Sequence, residues 1–137
     1  MLILDHLSKT YADGTRALAD ISLTVRAGEI VALIGGSGCG KTTLLRLIAG
    51  LDRASAGGIR LDGEGIAGPH PGVGIVFQEP RLLPWLSVAD NVGFGLADLP
   101  RAERRARVAH ALERVGLAEH AARWPRDLSG GQQQRVA

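Results

Sequence analysis

A glycine-rich segment between two apolar stretches constrains this chain more than any other feature of its sequence. Ile30–Ile34 is apolar throughout, which is typical of a strand buried on both faces of a parallel sheet. Gly35–Thr42 follows, and a helix with an apolar face is predicted from about Lys41 to Ala49, ended by Gly50. A strand, a glycine loop and a helix in direct succession indicate an α/β fold.

The glycine loop has the residue types that phosphate binding requires. Gly35–Thr42 matches G-x-x-x-x-G-K-S/T, in which successive backbone N–H groups converge on phosphate oxygens. Lys41 is predicted to reach the β- and γ-phosphates, and the Thr42 hydroxyl is predicted to ligate Mg²⁺. A structural turn without a ligand is the weaker alternative, because a buried-type strand precedes the loop and an apolar helix follows it. The predicted nucleotide contacts of this loop are Gly35, Gly36, Ser37, Gly38, Cys39, Gly40, Lys41, Thr42 and Thr43.

Cysteine, histidine and overall charge exclude several other functions. Cys39 is the single cysteine, so neither an intrachain disulfide nor a multi-cysteine zinc site is possible, and the four histidines show no ligand spacing. We hypothesise that a bulky adduct on Cys39 blocks the nucleotide.

The net charge is only +2, and the arginines between Arg101 and Arg107 are interpreted as a solvated helix face, so no nucleic-acid partner is expected. No apolar run approaches the length that spans a bilayer, and no signal peptide is predicted.

The rest of the chain is predicted as short strands and helices. Residues 2–9 and the alternating stretch Ile21–Val25 are predicted as strands, the second in a half-exposed antiparallel sheet, with a turn at Asp13-Gly14. Gly74–Phe77 is predicted as a second buried strand. The other predicted elements are a short strand at Ile59–Leu61, a helix over Val88–Phe94 capped by Ser87, and a helix between Pro100 and Gly116.

A second glycine motif lies near the C-terminus. In Leu128–Gln132, Ser129 and Gln132 have the spacing of a capping box at the start of a helix. Gly130 and Gly131 leave the backbone open, so the helix start could bind an anion. Taken alone, the motif supports a helix cap without a ligand equally well.

The phosphate loop and Leu-Ser-Gly-Gly-Gln together resemble the ABC-type ATPases over the whole chain. The resemblance implies a P-loop NTPase core with an antiparallel β subdomain, divided here as residues 1–78, and a Q-loop and helical subdomain with the signature motif at 79–137. It implies that Tyr11 stacks on adenine and that Gln78 approaches Mg²⁺ and the attacking water. Lys41 and Gln78 are the implied catalytic residues, and Thr42 and Gln78 the implied metal contacts. The implied ATP contacts of the signature are Ser129, Gly130, Gly131 and Gln132.

The same resemblance implies partners. Two ATPase subunits, identical or paired, would bind each ATP head to tail, between the phosphate loop of one and Ser129–Gln132 of the other. The stretch from Glu79 to Val92 looks like the detached ATPase subunits of bacterial importers for nitrate, sulfonates and taurine. In that family this region receives a coupling helix of an integral-membrane permease, which would hold the protein at the cytoplasmic face of the inner membrane. Packing of Pro80–Trp85 inside the monomer is the alternative.

One part of the family pattern is not in this sequence. An apolar strand ending in Asp-Glu and a later His should follow the signature, whereas the sequence stops at Ala137. The domain is therefore expected to be incomplete at the C-terminus, Ile30–Ile34 to keep an exposed face, and hydrolysis by residues 1–137 alone to be absent. The alternatives are a non-catalytic nucleotide-binding protein and, less favoured, a non-transport ABC ATPase.

Overall fold

An antiparallel sheet forms the N-terminal part of the molecule, as the alternating side chains predict. In the computed structural model, which describes residues 1–137, β1 spans Leu2–Thr10 and β2 spans Arg16–Val25. The predicted turn at Asp13-Gly14 is confirmed, and it joins these two strands. On its other side β1 pairs with β3, Ala56–Leu61, which pairs with β4, Glu64–Gly65. The strand order is β2-β1-β3-β4, and every pairing is antiparallel.

One helix covers this sheet. The helix α1 spans Lys41–Ile48, as predicted to within a residue, and buries Leu44 and Leu47. These two side chains share a core with Leu4 and Leu7 of β1, together with Leu18 and Ile59. Burial of such leucines contributes about 2 kcal/mol each relative to exposure, and it fixes the start of α1 against the sheet.

Two segments that were predicted as buried parallel strands do not form strands. Ile30–Ile34 and Gly74–Phe77 belong to no sheet; Ile30 and Ile34 are each 95% exposed and Val76 is 81% exposed. The predicted burial is therefore wrong, whereas the expected exposed face of Ile30–Ile34 is present. The physical reason is that a parallel strand exists only through hydrogen bonds to a neighbouring strand. All four strands of this chain pair in the antiparallel sheet, so neither segment has a partner.

The chain divides into two units, Met1–Ile75 and Val76–Ala137, and the second is helical. Its helices are α2, Val88–Val92, α3, Arg101–Arg114, and α4, Gly130–Val136. The predicted Ser87 cap is confirmed, because Ser87 Oγ accepts a hydrogen bond from the Asp90 N–H at 3.1 Å. The core of this unit comprises Val88, Val108, Leu112, Leu117, Leu128 and Val136.

The polar face of α3 is solvated, as predicted. Arg101, Arg105 and Arg107 are exposed, and Arg107 pairs with Glu103 one turn earlier at 2.7 Å. Such an exposed pair contributes only about 0.3–0.5 kcal/mol, so α3 is held by Val108 and Leu112 on its other face. None of the helices has both the length and the apolar character needed to cross a membrane.

Candidate functional site

The glycine loop brings a lysine ammonium and a helix start to the same place. Gly40 is the N-cap of α1, and Lys41 is its first residue. Lys41 Nζ donates to the carbonyl oxygens of Gly35 at 2.7 Å and Gly36 at 2.6 Å. The N–H groups of the first turn of a helix have no acceptor within the helix. The loop therefore presents a positive charge and free N–H donors together, which is the donor set that a polyphosphate requires.

Gly40 requires glycine both for its backbone conformation and for the space around it. Its φ is +95°, in the left-handed region, and a β-carbon there would lie 2.5 Å from the Ala17 carbonyl oxygen and 2.9 Å from Leu18 Cδ2. Ala17 and Leu18 belong to β2, so the start of α1 lies directly against the edge of the sheet. Gly36 lacks both constraints, because a β-carbon there would meet nothing within 4 Å.

Tyr11 lies beside the first turn of α1. Its hydroxyl oxygen is 3.2 Å from Thr43 Oγ1, and the residue is 38% exposed. The Lys9 ammonium lies 5.0 Å from the centre of the Tyr11 ring. The fold of the Met1–Ile75 unit therefore brings Tyr11 into contact with Thr43. Thr43 directly follows Lys41 and Thr42 in the chain. The exposed part of the Tyr11 ring is available for a flat group.

The Lys9 ammonium is itself held by a half-buried ion pair. Lys9 Nζ donates to Asp52 Oδ1 and to the Arg53 carbonyl oxygen, each at 2.7 Å, and the two paired side chains are 11% and 21% exposed. The hydrogen bond from Lys9, followed by that from the Arg53 N–H, lowers the pKa of Asp52 from its ordinary value of 3.8. Sequence reasoning missed this pair, because Lys9 and Asp52 are 43 residues apart.

This ion pair predicts an acid-dependent loss of stability. The lowered pKa means that the unfolded chain binds the proton more readily, so stability from Asp52 is present above about pH 4 and is lost as the pH falls below it. We expect Asp52→Asn to destabilise the protein by about 1 kcal/mol at pH 7 and by less at pH 3. Urea unfolding at both pH values measures this. Asp5→Asn, an exposed carboxylate on β1, is the control, and equal effects of the two variants would contradict the prediction.

The signature segment forms the predicted capping box. Ser129 Oγ accepts from the Gln132 N–H at 3.3 Å, and Gln132 Oε1 accepts from the Ser129 N–H at 2.8 Å. Gly130 and Gly131 are exposed, and β-carbons on them would meet nothing within 4 Å. The start of α4 therefore has an accessible backbone whose direction is fixed by the Ser129 and Gln132 side chains.

Gln78 and the loop after it belong to the Val76–Ala137 unit. Gln78 is exposed, and the neighbouring Phe77 ring lies 4.4 Å from the Arg81 guanidinium. Asn91 of α2 organises the loop: its Oδ1 accepts from the Leu83 N–H at 2.7 Å, and its Nδ2 donates to the carbonyl oxygens of Leu83 and Leu86 at 3.1 Å. This role of Asn91 was not predicted, although an amide on a short helix after a proline-rich loop is a usable signal.

A sheet-and-helix unit with a lysine-bearing glycine loop, followed by a helical unit with a capped Ser-Gly-Gly-Gln, defines a class of protein. Residues 18–137 match the ABC transporter family, and the chain belongs to it. The chain is 54% identical to the aliphatic sulfonates import ATP-binding protein SsuB 2 of Burkholderia lata, covering 100% of this chain and 49% of that protein. It is 49% identical to the taurine import ATP-binding protein TauB of Chromobacterium violaceum, covering 98% and 53%. The chain thus spans about half the length of the curated relatives it matches.

Solved structures agree with this assignment. The dimeric ATP-binding cassette MJ0796 bound to ADP and phosphate matches with a TM-score of 0.88 and 33% identity, over 99% of this chain and 66% of that chain. The protein cbiO1 of Clostridium perfringens, part of the transporter complex cbiONQ, matches with a TM-score of 0.83 and 37% identity, over 98% and 58%. The predicted α/β class of an ABC nucleotide-binding domain and the resemblance to sulfonate and taurine importer ATPases are confirmed.

Proposed function

We propose that this chain is the ATP-binding part of the energy-coupling subunit of a bacterial ABC importer. In this proposal ATP hydrolysis drives uptake of a sulfonate-type solute through a separate permease. The observation that carries it is the loop in which Lys41 Nζ and the free N–H groups of α1 lie together. About half of the residues of this chain are identical to those of importer ATP-binding proteins, and this similarity supports the transport role.

The residues of the Met1–Ile75 unit fit a magnesium nucleotide. Lys41 Nζ would exchange the carbonyl oxygens of Gly35 and Gly36 for phosphate oxygens, which carry more negative charge. Thr42 is exposed in the first turn of α1, and its hydroxyl is the kind of oxygen ligand that Mg²⁺ takes. When bound, Mg²⁺ supplies charge neutralisation at the phosphates. The exposed part of the Tyr11 ring would stack on adenine.

The residues of the Val76–Ala137 unit fit the contacts that complete an ABC site. We assign Gln78 to the magnesium ion and the attacking water, and Ser129, Gly130, Gly131 and Gln132 to the ATP of a paired subunit. The capping box supports the second assignment, because it holds the open backbone of both glycines in one direction.

The loop after Gln78 fits a permease contact. Trp85 is 67% exposed in a loop whose backbone Asn91 holds, so a large apolar side chain is presented to solvent on a fixed support. Tryptophan is among the residues that contribute most to binding when an interface buries them. We propose that it receives the permease, which would place the subunit at the cytoplasmic face of the membrane.

Co-expression of the full-length gene product with its permease tests this function. We expect the two proteins to copurify, ATP to be hydrolysed with Mg²⁺, and sulfonate uptake into proteoliposomes to require ATP. Trp85→Ala is expected to weaken copurification without changing ATP binding. The matched control is Leu51→Ala, which removes an exposed apolar side chain from the Met1–Ile75 unit. A complex that neither binds nor hydrolyses ATP would contradict the proposal.

Modification of Cys39 tests the placement of the nucleotide. The thiol is exposed, and its sulfur lies 3.4 Å from Lys41 Nζ. We expect a bulky maleimide on Cys39 to weaken binding of a fluorescent ATP analogue at least about tenfold, equivalent to ~1.4 kcal/mol of blocked contact. Cys39→Ser treated with the same reagent is the control and should keep its affinity. Unchanged affinity after complete modification of Cys39 would exclude the nucleotide from this loop.

A further inference from the structure

The Gln132 carboxamide lies between two partners, and only one of them belongs to the signature segment. Its Oε1 accepts from the Ser129 N–H at 2.8 Å, and its Nε2 lies 3.2 Å from Nε2 of His120. Because the oxygen is bound to Ser129, the NH₂ group is the end that faces the imidazole. The bond from the Ser129 N–H thus identifies which end of the amide is the oxygen and which is the NH₂ group.

This orientation determines the state of the imidazole. An amide NH₂ can only donate, so His120 Nε2 must accept and must carry no proton. The neutral ring then has its proton on Nδ1, and His120 Nδ1 is buried without a hydrogen-bond partner. The bond to Gln132 is therefore the only hydrogen bond of this ring, and the unpaired Nδ1–H costs free energy.

The backbone of His120 is fixed to the core of its unit. The His120 N–H donates to the Leu117 carbonyl oxygen at 2.9 Å, and Leu117 is 1% exposed. The His120 carbonyl oxygen accepts from the Arg123 N–H at 2.9 Å. The imidazole is thus an anchored acceptor, twelve residues before Gln132, that approaches the signature segment from outside it.

We propose that His120 is a positioning residue for the signature segment. The neutral imidazole holds the Gln132 carboxamide so that its oxygen stays on the Ser129 N–H. Without this acceptor the amide is held only by its bond from the Ser129 N–H, so its oxygen occupies that position a smaller part of the time. Gly130 and Gly131 have no side chains that could restore the direction of the backbone. The inference rests on the proposed function, in which this segment contacts the ATP of a paired subunit.

A matched pair of variants in the full-length ATPase, assembled with its permease, tests this role. Methionine and glutamine have similar length, but glutamine offers a strong carbonyl acceptor to Gln132, whereas the methionine sulfur is only a weak one. We expect His120→Met to lower kcat about fivefold, the effect of one lost hydrogen bond, while ATP affinity of the unassembled subunit changes less than about twofold. His120→Gln is expected to keep kcat within about twofold of the wild type. His110→Met, at an exposed position of α3, is the control and should be unchanged.

Equal kcat values for His120→Met and His120→Gln in an active complex would overturn the positioning role. Absence of ATP hydrolysis by the wild-type complex would instead overturn the proposed function, and this inference with it. A second measurement does not depend on the folding of any variant. Nitrogen NMR of ¹⁵N-histidine-labelled wild type should show a neutral His120 with its proton on Nδ1. A proton on Nε2 would overturn the proposal.

Discussion

Lys41→Ala is expected to lower ATP hydrolysis by the assembled importer between about a hundredfold and a thousandfold, the range for removal of one preorganised donor at developing charge. Lys41 Nζ lies 2.7 and 2.6 Å from two carbonyl oxygens of the loop, so its ammonium is held where the phosphates are proposed to bind. Alanine removes this charge together with its two hydrogen bonds to loop carbonyl oxygens, which are exposed and can bind water instead. The effect should therefore be large in hydrolysis and in ATP affinity and small in thermal stability.

The matched control for this prediction is Arg46→Ala. Arg46 is exposed and lies in the last turn of the same helix, at the end away from the loop. Arg46→Ala removes a positive charge from the same helix, but away from the proposed site. It should leave the rate of hydrolysis within about twofold of the wild type. Steady-state hydrolysis and equilibrium binding of a fluorescent nucleotide separate the two effects. Retention of more than half of the wild-type rate by Lys41→Ala would contradict the assignment of Lys41.

Gly40→Ala is expected to destabilise the first unit by at least about 2 kcal/mol and to abolish measurable ATP binding. The φ of +95° costs an alanine energy in any surroundings. In addition, its methyl group would lie 2.5 Å from the Ala17 carbonyl oxygen, a backbone atom that cannot rotate away. The start of α1 must therefore move from β2, and the N–H groups and Lys41 move with it.

Gly36→Ala is the control for this substitution in the same loop. A β-carbon at Gly36 meets no atom within 4 Å, and its φ is not in the left-handed region. We expect its stability to stay within about 0.5 kcal/mol of the wild type. Urea unfolding and nucleotide binding measure both variants. Similar stabilities for Gly40→Ala and Gly36→Ala would show that the approach of the loop to Ala17 is not a structural requirement.

Features that depend on nearby residues were predictable. The capping box of Ser129 and Gln132, the Ser87 cap and the extent of α3 each rest on side chains within a few positions of the backbone groups they satisfy. The glycine loop is of the same kind, because its backbone angles and the position of Lys41 follow from eight consecutive residues. Family membership, too, could be inferred from two such motifs, and the match over residues 18–137 confirms it.

Features that depend on distant residues were not predictable in this way. Ile30–Ile34 has the composition of a buried strand, yet it is exposed, because pairing requires a neighbouring strand and composition does not supply one. The ion pair of Lys9 with Asp52 beside Tyr11 joins residues 43 positions apart.

The sequence by itself determined the local parts of this protein: the glycine loop, the helix caps and the family to which they belong. Only the tertiary structure decided which apolar segments pair, where Tyr11 meets Thr43, and that His120 bonds to Gln132. The physical reason is the range of the interactions. Caps and turns are satisfied within one or two turns of chain, whereas strand pairing and side-chain contacts between elements form only when the whole unit packs.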